Sequence, residues 1–182
     1  MKKTVLLSIF SFLLFNLFSQ NNEATLKETT DWMSSKVEGE YEPILRQYFN
    51  VVLSWDDEKK MMQYTSFQAE TLLGKPKFGS YVIEFDPKNI DPKGISIREF
   101  NSGENYYVKI HFSCNNGAGC IKSYNVYSKG NGELSKNEEA NLKSYDIVLY
   151  SEAIKKNGNL PKRFIEAFKH LIFLRGGTGE KF

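Results

Sequence analysis

The chain has 182 residues, with 24 Lys and Arg against 22 Asp and Glu and a formal net charge of +2. That balance excludes a nucleic-acid binder, which concentrates an excess of Lys and Arg on one face. The length fits one domain with a substantial core, because a chain of this size hides well over half of its unfolded surface. Lys2 and Lys3, the apolar stretch from Val5 to Phe18, and the small and polar Ser19 and Gln20 make the three parts of an export signal. The stretch is interrupted by Ser8, Ser11 and Asn16 and stops at Asn21-Asn22-Glu23, short of the roughly 20 apolar residues that span a bilayer. Cleavage between Ser19 and Gln20 is expected, with an uncleaved anchor as the competing reading. Cleavage removes Lys2 and Lys3, brings the net charge to zero, and delivers the chain to the periplasm or the extracellular space. No Cys stands at the end of the signal to take a lipid. The expected organisation is a signal over 1–19, one β-rich domain over 20–177 and a fraying tail over 178–182.

Thr25 and Glu28 form a capping box, and Leu26, Thr30, Met33 and Val37, joined by Trp32, gather on one face of a helix that Gly39 ends. The period then changes to two. Phe49, Val51, Leu53 and Trp55 alternate with polar or mixed neighbours. The run Asp56-Asp57-Glu58-Lys59-Lys60 makes a solvated turn, and Met61 to Gln68 returns as a strand. Thr71 to Gly79 reads as a loop. Tyr81, Ile83 and Phe85 form a strand that stops at Asp86-Pro87, where the ring removes a ladder donor. Asp91-Pro92-Lys93-Gly94 is a turn before the strand of Ile95 and Ile97. Tyr106, Val108, Ile110 and Phe112 share one parity and Tyr107, Lys109, His111 and Ser113 the other. Tyr124 and Val126 mark the next strand, in which Lys122 breaks the apolar pattern and calls for a bulge or an edge position. Ser128 to Lys143 has no period and reads as a loop. Tyr145, Ile147 and Leu149 form the last strand. The closing helix has Pro161 in its first turn, the stripe Phe164, Ile165, Phe168, Leu171 and Ile172, and Gly176-Gly177 at its C-cap.

Cys114 and Cys120 flank the turn-rich Asn115-Asn116-Gly117-Ala118-Gly119. An oxidising compartment lets them pair, and strand parity sets both sulfurs on one side of the closed end of a hairpin. So short a loop makes the bridge worth about 2 kcal/mol. The competing reading joins them to His111 in a metal site, which is short of ligands because structural zinc takes four and the sequence has one other His.

Seven short antiparallel strands followed by an amphipathic helix resemble, in element order alone, a pleckstrin-homology-like barrel over roughly 46–175. The resemblance implies a final helix plugging an open barrel end. The basic signature of the phosphoinositide-binding members is replaced here by Asp56-Asp57-Glu58, and Phe164 or Phe168 stands where they carry a Trp, so lipid-headgroup binding is not implied. Arg163-Phe164-Ile165-Glu166-Ala167-Phe168-Lys169-His170-Leu171, with Gly176 beyond it, resembles the closing helix of short exported proteins of Bacteroidota, a likeness that brings no activity. The fold class is mainly β (α+β); the alternatives to a barrel or strongly bent sheet are a lipocalin-like cup and a helix-on-sheet α+β domain.

Among candidate chemical groups, Asp56, Asp57 and Glu58 read as a solvated turn rather than metal ligands or paired carboxylates, because Lys59 and Lys60 neutralise them. His111 and His170 lack a Ser or Cys in a nucleophile-elbow context and take surface or capping roles. Gly176-Gly177-Thr178-Gly179 follows a helix, whereas phosphate cradles precede one. The many tyrosines are what strand propensity produces; the competing reading makes the outward pair Tyr107 and Tyr127 a binding face. The sequence calls for no cofactor, no metal and no catalytic constellation. It predicts a non-enzymatic exported domain that binds a partner, either a protein or an apolar ligand; one alternative is a carrier of a small apolar ligand or lipid with Phe164, Phe168 and Ile172 walling a cavity beneath the last helix. The other is an envelope hydrolase whose groups converge only in space.

Overall fold

The computed structural model describes residues 24–37, 48–72, 75–102, 105–128, 134–150, 154 and 157–177. The leader, Gly39 and the tail beyond 177 lie outside them. The elements are α1 (Leu26–Val37), β1 (Tyr48–Asp56), β2 (Met61–Leu72), β3 (Lys75–Phe85), β4 (Ser96–Ser102), β5 (Asn105–Ser113), β6 (Ile121–Ser128), β7 (Leu134–Leu142), β8 (Ser144–Tyr150) and α2 (Leu160–Leu174). The strands do not close into one barrel. They form a five-stranded antiparallel sheet ordered β1-β2-β3-β6-β7 and a three-stranded one ordered β4-β5-β8. The mainly β, α+β class holds.

Both helices form as their patterns predict. Thr25 N–H donates to Glu28 Oε2 at 2.8 Å and Glu28 N–H to Thr25 Oγ1 at 3.2 Å, the two halves of a capping box. Thr30, Met33 and Val37 bury the inner face of α1. On α2, Leu160, Phe164, Phe168, Leu171 and Ile172 are buried, and Gly176, at φ +78°, takes the left-handed conformation beyond the helix end. Phe168 packs tilted against Phe85 and edge-on against Phe112 with ring centroids 5.7 and 5.2 Å away, and these two rings lie 4.8 Å apart. This aromatic cluster joins both sheets and α2 in one core, with burial of each ring worth about 1.5–3 kcal/mol.

Three segments differ from their sequence reading. Thr71 and Leu72 belong to β2 and Lys75 to Gly79 to β3, so the expected loop over 71–79 is a continuation of the hairpin. Pro76 is tolerated because β6 pairs with β3 only from Gly79 onward, leaving β3 one-sided at the proline. Leu134 to Leu142, within the expected 128–143 loop, is an edge strand paired with β6. Its polar run is how a sheet edge is kept from pairing with another chain. In β6 the parity is inverted: Ile121 and Ser123 face the core opposite Phe85 and Ile83, while Lys122, Tyr124 and Val126 lie on the far side. Lys122 therefore sits on an outward face of an interior strand, pairing with Glu139 at 3.1 Å, and the irregularity that its pattern calls for falls just after it, where the β6–β7 register shifts between Ser123 and Asn125.

Cys114 and Cys120 are bonded, with Cα atoms 5.8 Å apart, but not across a hairpin. β5 lies in the smaller sheet and β6 in the larger, so the bridge spans a crossing between sheets. Cys114 N–H donates to Lys143 O at 2.9 Å and Cys120 N–H to Leu142 O at 3.2 Å, which ties this crossing to the return crossing from β7 to β8. The third crossing, from β3 to β4, joins them through Asn115 N–H to Asn89 O and Asp91 N–H to Ser113 O, both 2.9 Å. That segment contains two Asp-Pro-Lys turns in which Asp86 and Asp91 accept from the N–H groups of Lys88 and Lys93.

Candidate functional site

α1 and α2 run antiparallel, since Trp32 meets Phe164 while Ala24 meets His170 eight residues earlier on one helix and six later on the other. Ala24, just ahead of α1, with Glu28, Thr29 and Trp32 of α1 and Arg163, Glu166, Ala167 and His170 of α2, line an open groove of about 490 Å³. The size falls in the range of small-molecule and peptide pockets. The helical spacing makes the groove: residues three and four apart share a face, and Ala24, Thr29 and Ala167 are small enough to leave a valley where larger side chains would meet. Trp32 is half-buried at one end, its ring centroid 6.3 Å from that of Phe164. The Arg163 guanidinium lies 5.4 Å and the Lys36 ammonium 5.9 Å from the indole centroid, within cation–π reach.

At the other end His170 Nε2–H donates to Ala24 O at 2.9 Å; a carbonyl only accepts, so Nε2 carries the proton. The backbone N–H and then the hydroxyl of Thr25 hold the Glu28 carboxyl below the usual carboxylate range. The Thr29 hydroxyl is buried and has no hydrogen-bond partner, a deficit of about 1–3 kcal/mol.

Phe164, Phe168 and Ile172 do not line this groove; each is fully buried in the core. Beneath α2, Phe168 packs against Phe85 and Phe112. Tyr127 is exposed on β6, in register with Gly79 and Ser135. Tyr107 lies on β5 of the other sheet, in register with Phe100 and Tyr150, and its side chain falls outside the described residues. The structure thus does not bring the two tyrosines onto one sheet.

His111 has a partner that its sequence position concealed. Its Nδ1 lies 2.7 Å from Asp146 Oδ1, with Arg98 Nη1 4.0 Å from the same oxygen. Ser96 stands opposite His111 in register, yet its hydroxyl makes no hydrogen bond to the imidazole, so the row ends at an oriented histidine and not at a proton relay. The pairing was illegible because β8 lies beside β5 only after β6 and β7 have intervened. A second hidden network fills the outer face of the larger sheet, where Tyr124 Oη–H and Gln63 Nε2–H each donate to Glu84 Oε1 at 2.9 Å. Burial pushes the Glu84 carboxyl up, but these two bonds and the charges of Lys59 and Lys136 hold it below the usual range. Burial and the Glu84 charge push the Tyr124 phenol well up.

The 56–60 turn is exposed, as expected, with Asp56 Oδ1 accepting from the N–H groups of Glu58 and Lys59 at 3.1 and 3.0 Å and Lys60 at φ 55°. Among the described residues no group of three or more metal-capable side chains converges, and no helix is long and apolar enough to cross a membrane. No protein-family model, no curated protein and no solved structure matches this chain.

Proposed function

We propose that the chain is an exported interaction domain that seats a segment of a partner protein in the groove between α1 and α2. The observation that carries this reading is a half-buried tryptophan set in an open, pocket-sized groove. Aromatic anchors of this kind dominate interface energetics. A carrier encloses its ligand, whereas the interior beneath α2 is packed with aromatic rings and the available groove is open to water. The leader and the Cys114–Cys120 bridge support placement outside the reducing cytoplasm.

The test is site-specific photocrosslinking in the producing cell, with the reactive residue at Ala167 in the groove and, as a control, at exposed Asn137 on β7. A discrete adduct from position 167 that disappears with Trp32→Ala, and is not formed from position 137, is the expected result. Equal adducts at both positions, or an adduct at 167 indifferent to Trp32, would overturn the reading.

A further inference from the structure

Resting on that reading, we infer that the partner segment is acidic: an apolar side chain lies on Trp32 and Ala167, and a neighbouring carboxylate faces Arg163 and Lys36. The charges around the groove are unevenly satisfied. Glu28 is committed to the helix cap and His170 to a backbone carbonyl. Arg163 and Lys36, by contrast, approach only the Trp32 ring, and neither has an ion-pair partner among the described residues. Two cations flank the aromatic anchor, whereas the carboxylates of Glu28 and Glu166 lie about one helical turn away toward the His170 end, so the Trp32 end of the groove is the positive one. An anionic group supplied by the partner completes both.

The occupant is a short extended peptide. From Ala24, two residues ahead of α1, to Trp32 within it the groove runs on the order of 12 Å, which four extended residues span. A long acyl chain with a carboxylate head shares the charge but would overrun the groove and leave its methylenes wet.

The experiment uses the 15N-labelled chain isolated from cells that export it, followed by NMR at the Trp32 indole N–H. It is titrated with a blocked tetrapeptide of two apolar and two acidic residues, with its Asn/Gln counterpart of the same shape, and with dodecanoate. The acidic peptide should shift Trp32 and the facing amides of both helices. Its affinity should fall roughly five- to tenfold in the Arg163→Gln/Lys36→Gln double variant and with the neutral peptide, in keeping with two partly exposed charge contacts, and should weaken as salt is raised. Both substitutions lie at the surface, and an unchanged thermal midpoint shows that the double variant is folded.

Equal binding of acidic and neutral peptides at Trp32 would overturn the acidic preference while keeping the groove as the seat. Shifts with dodecanoate and none with either peptide would overturn the peptide occupant. No shift in either helix with any probe would overturn the groove reading itself.

Discussion

The junction where the chain crosses between sheets and the groove between the helices treat polar groups in opposite ways. At the junction, backbone donors of Asp91, Cys114, Asn115 and Cys120 each reach a carbonyl of a neighbouring crossing, and a covalent bond closes the set. At the groove, among the described residues, a hydroxyl has no partner and the cations of Arg163 and the neighbouring Lys36 rest only on an indole. Satisfied groups hold a shape, while unsatisfied ones are what a ligand can still improve. Substitutions at the junction should therefore act on stability, and substitutions in the groove on binding.

The largest expected effect is at the bridge. Replacing both cysteines by serine should lower unfolding stability by about 2 kcal/mol from loop entropy, measured by denaturant unfolding, with binding in the groove unchanged. A loss of groove binding in that variant would break the separation of the two regions. A neighbouring pair of glycines sharpens it. A Cβ on Gly119 would meet the Asn141 carbonyl oxygen at 2.8 Å and carbon at 2.9 Å, whereas one on Gly117 meets nothing within 4 Å. Gly119→Ala should therefore cost about 1–3 kcal/mol by forcing two crossings apart. Gly117, at φ +68°, should cost only the left-handed penalty of about 1–2 kcal/mol. A Gly119→Ala midpoint equal to that of the parent chain in denaturant melts would show that the Asn141 contact carries no weight.

The smallest effect belongs to the groove and depends on pH. The Glu28 carboxyl titrates below its ordinary value in the folded chain. Its contribution to the α1 cap is fully present above the unfolded carboxylate pKa, near 4.3, and is lost as pH falls through the lowered folded value. Amide exchange in the first turn of α1 should accelerate across that acid window. Glu28→Gln should flatten the acid step, and an undiminished step would assign it to another carboxylate.

Much of the fold was legible because periodicity survives wherever one face is buried. Met33 and Val37 on α1, Phe164 and Phe168 on α2, and the alternations of β1, β3, β5 and β8 all point as their spacing predicts. β7 was not, since an edge strand with both faces wet leaves Lys136, Asn137 and Glu139 without a period. Tyr124 and Val126 misled because an apolar parity was assigned to the core, and nothing near Tyr124 in sequence announces Glu84, forty residues away. The groove was hidden for a related reason. Trp32 reads as an extension of the buried stripe of α1, and the residues it faces, such as Arg163, come from the far end of the chain. The local signal was the small side chain of Ala167 on an otherwise long-chained helical face, with Ala24 just ahead of α1.

The order in which the strands are strung has one more effect. The larger sheet draws on β1 to β3 and then β6 and β7, while β4, β5 and β8 build the smaller one between and after them. Neither sheet can be completed while the other is absent. A fragment ending at Gly119 would lack two strands of the larger and one of the smaller, so no cut at a crossing yields a self-sufficient half. The two sheets should accordingly be lost together in a single cooperative transition, with no intermediate that keeps one and surrenders the other.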